Sequence, residues 1–181
     1  MKKITVLLLI LAAVALPLFA QSIVEKKDLE PDYCIAATVS ADYMWQYGPA
    51  ETEGPGMKIE AYYANRNGLN IGLDVSANYY TGNALTVGPD VISLFPVIGL
   101  YRKLDNTSGI LVKAGPGVKI AKTEEKTYYL FSVEVGEDII VSLSDTIALS
   151  FGTSATMSLS PSGDNKWGFS IKPDFGINIV F

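Results

Sequence analysis

Histidine is missing from all 181 residues, and cysteine is represented by Cys34 alone. Without an imidazole, the chain lacks the side chain that ordinarily exchanges a proton near neutral pH, and it lacks the usual nitrogen ligand for zinc. One cysteine cannot form an internal disulfide, the staple on which small exported domains commonly rely. Charge is sparse as well, at 18% of residues, with 19 acidic side chains against 14 basic ones. An acidic chain argues against nucleic acid as a partner.

Helical periodicity is absent over any useful length, and nothing repeats beyond a rhythm of strand and loop. The one long apolar run covers residues 4–16, behind Lys2 and Lys3, and closes at Pro17 and the small Ala20. A positive start, a short apolar stretch and a small residue make the layout of a secretory signal peptide, too short for a spanning helix. Cleavage is expected after Ala20, and no cysteine follows to carry a lipid anchor. The predicted organisation is a signal peptide at 1–20, a short periplasmic segment at 21–31 and one β-domain at 32–181.

What the chain has in abundance is alternation. From Tyr33 the odd positions run Ile35, Ala37, Val39, Ala41, Tyr43, Trp45 and Tyr47, with Thr38, Ser40, Asp42 and Gln46 between them. The final stretch sets Trp167, Phe169, Ile171, Pro173, Phe175, Ile177, Ile179 and Phe181 against Gly168, Ser170, Lys172, Asp174, Gly176 and Asn178. A period of two held this long marks a strand with different solvents on its two faces. Eight such segments and seven connections can be traced. The Gly-Pro pairs at 48–56 break the pattern, 91–103 is apolar on both faces, and Glu137 interrupts the sixth segment. Most segments reach the roughly 9–11 residues that a tilted strand needs to cross a bilayer.

If the strands alternate in direction from a periplasmic start, aromatic rings gather at two levels. Tyr43, Trp45, Tyr47, Tyr79, Tyr80, Tyr128, Tyr129, Trp167 and Phe169 fall at the far level, and Tyr33, Tyr63, Tyr101 and Phe181 at the near one. Between them the outward positions are mostly aliphatic. Two aromatic girdles around an aliphatic band fit a membrane barrel better than a soluble ligand-binding one. The fold class is therefore all-β: an eight-stranded antiparallel up-and-down transmembrane β-barrel after a cleaved signal peptide.

The alternation of Phe175, Ile177, Ile179 and Phe181 resembles the terminal strand of bacterial outer-membrane barrels. In size and pattern the chain resembles their small eight-stranded group, the OmpA/OmpX/OmpW-like proteins. That resemblance implies outer-membrane lipid and the barrel-assembly machinery as partners, no cofactor, a monomer and the cell outer membrane of a diderm bacterium. Barrel enzymes of that membrane, as families, rely on an active-site histidine, so no catalysis is expected here.

Strand phase sends Asp42, Lys58, Glu60, Asp74, Lys113, Lys119, Glu134, Lys172 and Asp174 inward, where charges need partners. An interior of eight strands is just wide enough for side chains to fill. A hairpin centred on Asn106 sets Pro96 opposite Pro116, both outward, with Phe95 across from Gly117 on the inner surface. Neither proline has an N–H for the ladder. The expected role is structural or surface-interactive; the alternative is a narrow channel, or a lateral route for small apolar solutes at the proline seam.

Because the apolar alternation runs to the last residue, deleting Phe181 or changing it to Ser is expected to lower outer-membrane insertion in cells while folding in detergent micelles persists. Normal membrane levels of the deletion variant would count against an assembly signal at this end.

Overall fold

The computed structural model describes residues 33–48, 51–65, 68–79, 89–123, 126–161 and 167–181. The expected signal peptide and periplasmic segment, and the side chains of Tyr33 and Tyr80, lie outside the described residues. Eight strands follow in order: β1 (Tyr33–Tyr47), β2 (Thr52–Asn65), β3 (Leu69–Asn78), β4 (Val91–Lys103), β5 (Ser108–Lys122), β6 (Thr127–Ser142), β7 (Ile147–Leu159) and β8 (Trp167–Val180). Each pairs antiparallel with the next, and β8 returns to β1, so the sheet closes into a barrel.

Closure fixes the tilt. Paired residues lead from Ile35 through Tyr63, Ile71, Ile98, Ala114, Val135, Ala155 and Ile171 back to β1 at Trp45, a shear of ten residues. With strands ~4.8 Å apart and ~3.3 Å per residue, that shear inclines them by about 40° to the barrel axis.

Two segments differ from the sequence expectation. β2 begins at Thr52, inside the Gly-Pro stretch, because Pro55 sits near an end of the ladder and still accepts a hydrogen bond from the Tyr79 N–H through its carbonyl, at 2.9 Å. β6 runs unbroken through Gly136, Glu137 and Asp138, since Glu137 occupies an outward position without disturbing the pairing with β7.

At one end the turns are tight. The Gly68 N–H bonds back to the Asn65 carbonyl at 3.0 Å, and Gly68 has φ 78°, a conformation that disfavours side chains. In the β4–β5 turn, Asp105 accepts from the Ser108 hydroxyl and from the Thr107 and Ser108 N–H groups, each at 2.7 Å. The Ser108 hydroxyl first, then the Thr107 N–H, hold its carboxyl down to a pKa of about 2.

The outer surface is an apolar belt. Ile59, Ile98, Val133 and Ile177 are each at least half exposed, while the residues between them are buried. A continuous belt of this kind demands hydrocarbon as its solvent. Trp45, Tyr47, Tyr79, Tyr129 and Trp167 stand outward near the end with the longer connections, and Tyr63 and Phe181 near the other. Tyr101 and Tyr128, expected in the girdles, turn inward instead and pack against buried apolar clusters, because each lies on the inner phase of its strand.

A closed sheet with no free edge resists detergent. The folded, unboiled protein is expected to migrate differently from the boiled form on gels. Identical migration of a sample that circular dichroism shows to be folded would argue against closure.

Candidate functional site in the barrel interior

All nine charged residues expected inward are buried, none more than 9% exposed. Tyr62 and Asp138 join them, with buried serines, threonines and asparagines around them. Asp138 escaped the sequence reading because Glu137 made the sixth segment look broken. Carried straight through in phase with Glu134, the alternation would have found it.

Toward the end with the tight turns, two lysines hold a set of carboxylates. Lys58 lies 2.6 Å from Asp174 and 3.1 Å from Glu60. Lys113 lies 2.7 Å from Asp138 and 3.9 Å from Asp74, and also pairs with Glu60. The Tyr62 hydroxyl donates to Glu60 at 2.8 Å and accepts from Lys113 at 3.2 Å. Each lysine thus reaches across the lumen to strands that are not its neighbours, which only a long side chain in a narrow barrel can do.

Toward the other end the pairing is thinner. Lys172 lies 3.5 Å from Glu134 and donates to the Ser76 hydroxyl at 2.9 Å. Thr156 donates to Glu134 at 3.3 Å, and Asn78 donates to Asp42. Lys119 donates to the Ser170 hydroxyl at 2.5 Å and has no carboxylate within ion-pair distance among the described residues. Four buried lysines therefore face six buried carboxylates. Tyr62, Phe95, Val97 and Leu111 form an apolar cluster beside the charges, with Phe95 paired to Asp74 and Leu111 to Asp138, and Met44, Val91, Ala121 and Leu130 form another toward the end with the longer connections. Among the described residues, no three acidic or thiol side chains come together as a metal cage.

The prolines fall on one rung. Pairings Leu94↔Val118 and Ile98↔Ala114 flank Pro96 and Pro116 and set them opposite each other, with both rings outward. The Leu104 N–H donates to the Ser108 carbonyl and the Lys122 N–H to the Asp90 carbonyl, so the bonded rungs are those of even number in β4. Pro96 and Pro116 thus occupy a bonded rung with no donor on either side, and the ladder is interrupted over 95–97 and 115–117. The two backbones still approach closely here. A Cβ on Gly115 would stand 1.9 Å from the Pro96 carbonyl oxygen, and one on Gly117 2.3 Å from the Phe95 ring.

A second interruption went unforeseen. Ile35 and Phe181 exchange both backbone bonds, which makes the odd rungs of β1 the bonded ones with β8. Pro173 falls opposite Tyr43 on such a rung, and pairing lapses between Asp42 and Trp45. Phe175, Ile177 and Ile179 stand outward on the same seam, paired with Ala41, Val39 and Ala37.

Removing one ion strands its partners. Lys113→Met would leave Glu60, Asp74 and Asp138 under-compensated and is expected to cost roughly 3–5 kcal/mol. Lys119→Met loses one hydrogen bond to a serine and is expected to cost less than about 1 kcal/mol. Urea unfolding in detergent micelles checks both; equal costs would show that the ion pairs around Lys113 contribute nothing special.

No family model matches the chain, and no curated protein matches it in sequence. Solved structures do match. Neisserial surface protein A is similar at 11% identity with a TM-score of 0.59, covering 82% of this chain and 97% of its own. Ail, the attachment invasion locus protein of Yersinia pestis, is similar at 8% identity with a TM-score of 0.58, covering 83% and 100%. The N-terminal β-barrel domain of Pseudomonas aeruginosa OprF is similar at 8% identity with a TM-score of 0.51, covering 80% and 97%. The likeness is one of fold: this chain has the closed eight-stranded architecture of the small outer-membrane barrels.

Proposed function

We propose that the protein works in the outer membrane of a diderm bacterium as a structural or surface-interaction protein, with a filled polar interior and no catalysis. The observation that carries this reading is how the inner charges are used. Lys58, Lys113 and Lys172 each engage carboxylates on other strands at 2.6–3.5 Å or closer, leaving them bound to one another and not lining a path. Apolar side chains take up further space, Phe95 and Leu111 beside the charges, paired with Asp74 and Asp138, and Met44, Val91, Ala121 and Leu130 toward the end with the longer connections. The names of two similar structures, a surface protein and an attachment invasion locus protein, support a role at the cell surface. A closed sheet leaves no edge to extend, which supports a monomer. The terminal strand, apolar outward through Phe181, supports delivery by the barrel-assembly machinery.

The second reading rests on the β4–β5 seam. Two facing prolines leave two carbonyls without ladder donors in hydrocarbon, where no water replaces them. Such a seam suits sideways passage of a small apolar solute, with Phe95 as the group to displace.

Reconstitution into planar bilayers and vesicles, with conductance and apolar-solute flux measured together, separates the two. The structural reading expects neither. The lateral route expects flux without conductance, and expects Pro96→Ala with Pro116→Ala to stop it while stabilising the barrel by about 1 kcal/mol per bond regained. Flux unchanged in that double variant would reduce the prolines to a bend, and steady ionic conductance in the parent would overturn the filled interior.

A further inference from the structure

We propose that Asp138 and Asp174 form, over Gly152, a binding site for one hard divalent cation, Ca2+ or Mg2+, inside the barrel. Gly152 on β7 pairs with Asp138 of β6 on one side and with Asp174 of β8 on the other. With no side chain on the glycine, the two flanking carboxylates can close over the inner wall at this point. Asp138 gives its Oδ2 to Lys113 at 2.7 Å, and Asp174 gives its Oδ2 to Lys58 at 2.6 Å. The other oxygen of each, Oδ1, is buried without a hydrogen-bond partner among the described residues.

Those two oxygens converge. A Cβ placed on Gly152 would stand 1.9 Å from Asp138 Oδ1 and 3.0 Å from Asp174 Oδ1. Two carboxylate lone pairs aimed at one buried point repel unless something positive stands between them. On either side along β7, Ser150 and Ser154 are 2% exposed, and their hydroxyls also lack partners among the described residues. The site therefore offers two carboxylate oxygens with two hydroxyls nearby.

Charge points the same way and is independent of that geometry. Near this site Lys58 and Lys113, both already engaged, face the four carboxyl groups of Glu60, Asp74, Asp138 and Asp174, so acidic groups are in excess. Buried charge must be balanced, and one divalent ion balances two. With both lysine ammoniums already paired and oxygen the only ligand atom that the described residues of the site offer, the ligand is a hard cation. Ca2+ tolerates irregular oxygen sets, and Mg2+ commonly keeps several waters beside one or two carboxylates. An enclosed site of this kind takes up its ion as the barrel folds and exchanges it slowly.

The chain should be refolded in detergent micelles with Ca2+ or Mg2+, passed through gel filtration, and its retained metal counted by elemental analysis. The site expects about one ion per folded barrel, and a higher melting temperature with cation than in EDTA. Asp138→Asn should lose both effects. Gly152→Ala keeps every charge but puts a methyl where Asp138 Oδ1 lies, so it should also lose the ion. Retention by the parent of neither metal, with the same melting temperature in cation and EDTA, would overturn the site and leave a shared proton between the two carboxyls. So would retention equal in the parent and in folded Gly152→Ala protein. If Asp138→Asn does not fold, the parent and Gly152→Ala decide the matter.

Discussion

Hydrocarbon supplies no hydrogen bonds, so every backbone N–H and C=O in the belt must find its partner within the sheet. The rest of this structure follows from that constraint. The sheet has to close, closure at eight strands and a shear of ten sets a narrow lumen, and the outward residues must be apolar. The inward face is then the only place for the polar half of each strand. The strands divide it unevenly: β7 and β8 contribute small residues such as Ser150, Gly152, Ser154, Ser170 and Gly176, while lysines on β2, β5 and β8 stretch across the lumen.

Against that constraint, the interruptions in the ladder are informative. Pro96 and Pro116 break the seam between β4 and β5, and Pro173 breaks the seam between β8 and β1. These seams lie four strands apart in a ring of eight, dividing the barrel into the halves β1–β4 and β5–β8. The interior ion pairs cross both divides. Lys58 on β2 reaches Asp174 on β8, and Lys113 on β5 reaches Glu60 on β2 and Asp74 on β3. A lost backbone bond weakens a seam by about 1 kcal/mol, while breaking a buried ion pair costs roughly 3–5 kcal/mol. The side chains thus hold the halves together where the backbone holds them least.

Much of this was legible in the alternation, because two solvents on two faces impose a period of two that few other folds sustain. β1 and β4 have the bounds that their residue patterns set, and the nine charged residues placed on the inner phase are buried. The errors share a cause. β4 is apolar on both faces, so its pattern alone left the phase open; the hairpin register already set Phe95 inward, and Tyr101, six residues on, shares that phase. Glu137, an acid on the outer phase, hid Asp138 on the inner one. Pro173 stood in the outward series as one more apolar residue, and its effect on the ladder depends on which rungs of β1 and β8 are bonded. Partnerships such as Lys58 with Asp174, 116 residues apart, exist only after closure and could not be read from spacing at all.

The same distinction explains why the interior carries so many charges when the inward face could be made of small neutral residues. A strand that slips by one residue turns its polar face to lipid, and lysine at the bilayer midplane costs about 2–4 kcal/mol. The alternation alone therefore excludes odd slips. A slip of two residues keeps every face correct, and a uniformly apolar or serine-lined lumen would tolerate it. Here such a slip along β1, against β2 or against β8, would carry Lys58 past Asp174, and one in β5 would take Lys113 from Glu60, Asp74 and Asp138 together. Each would leave unpaired charge in a low dielectric. The apolar belt fixes the parity of each strand, and the ion pairs choose one register among those the belt allows.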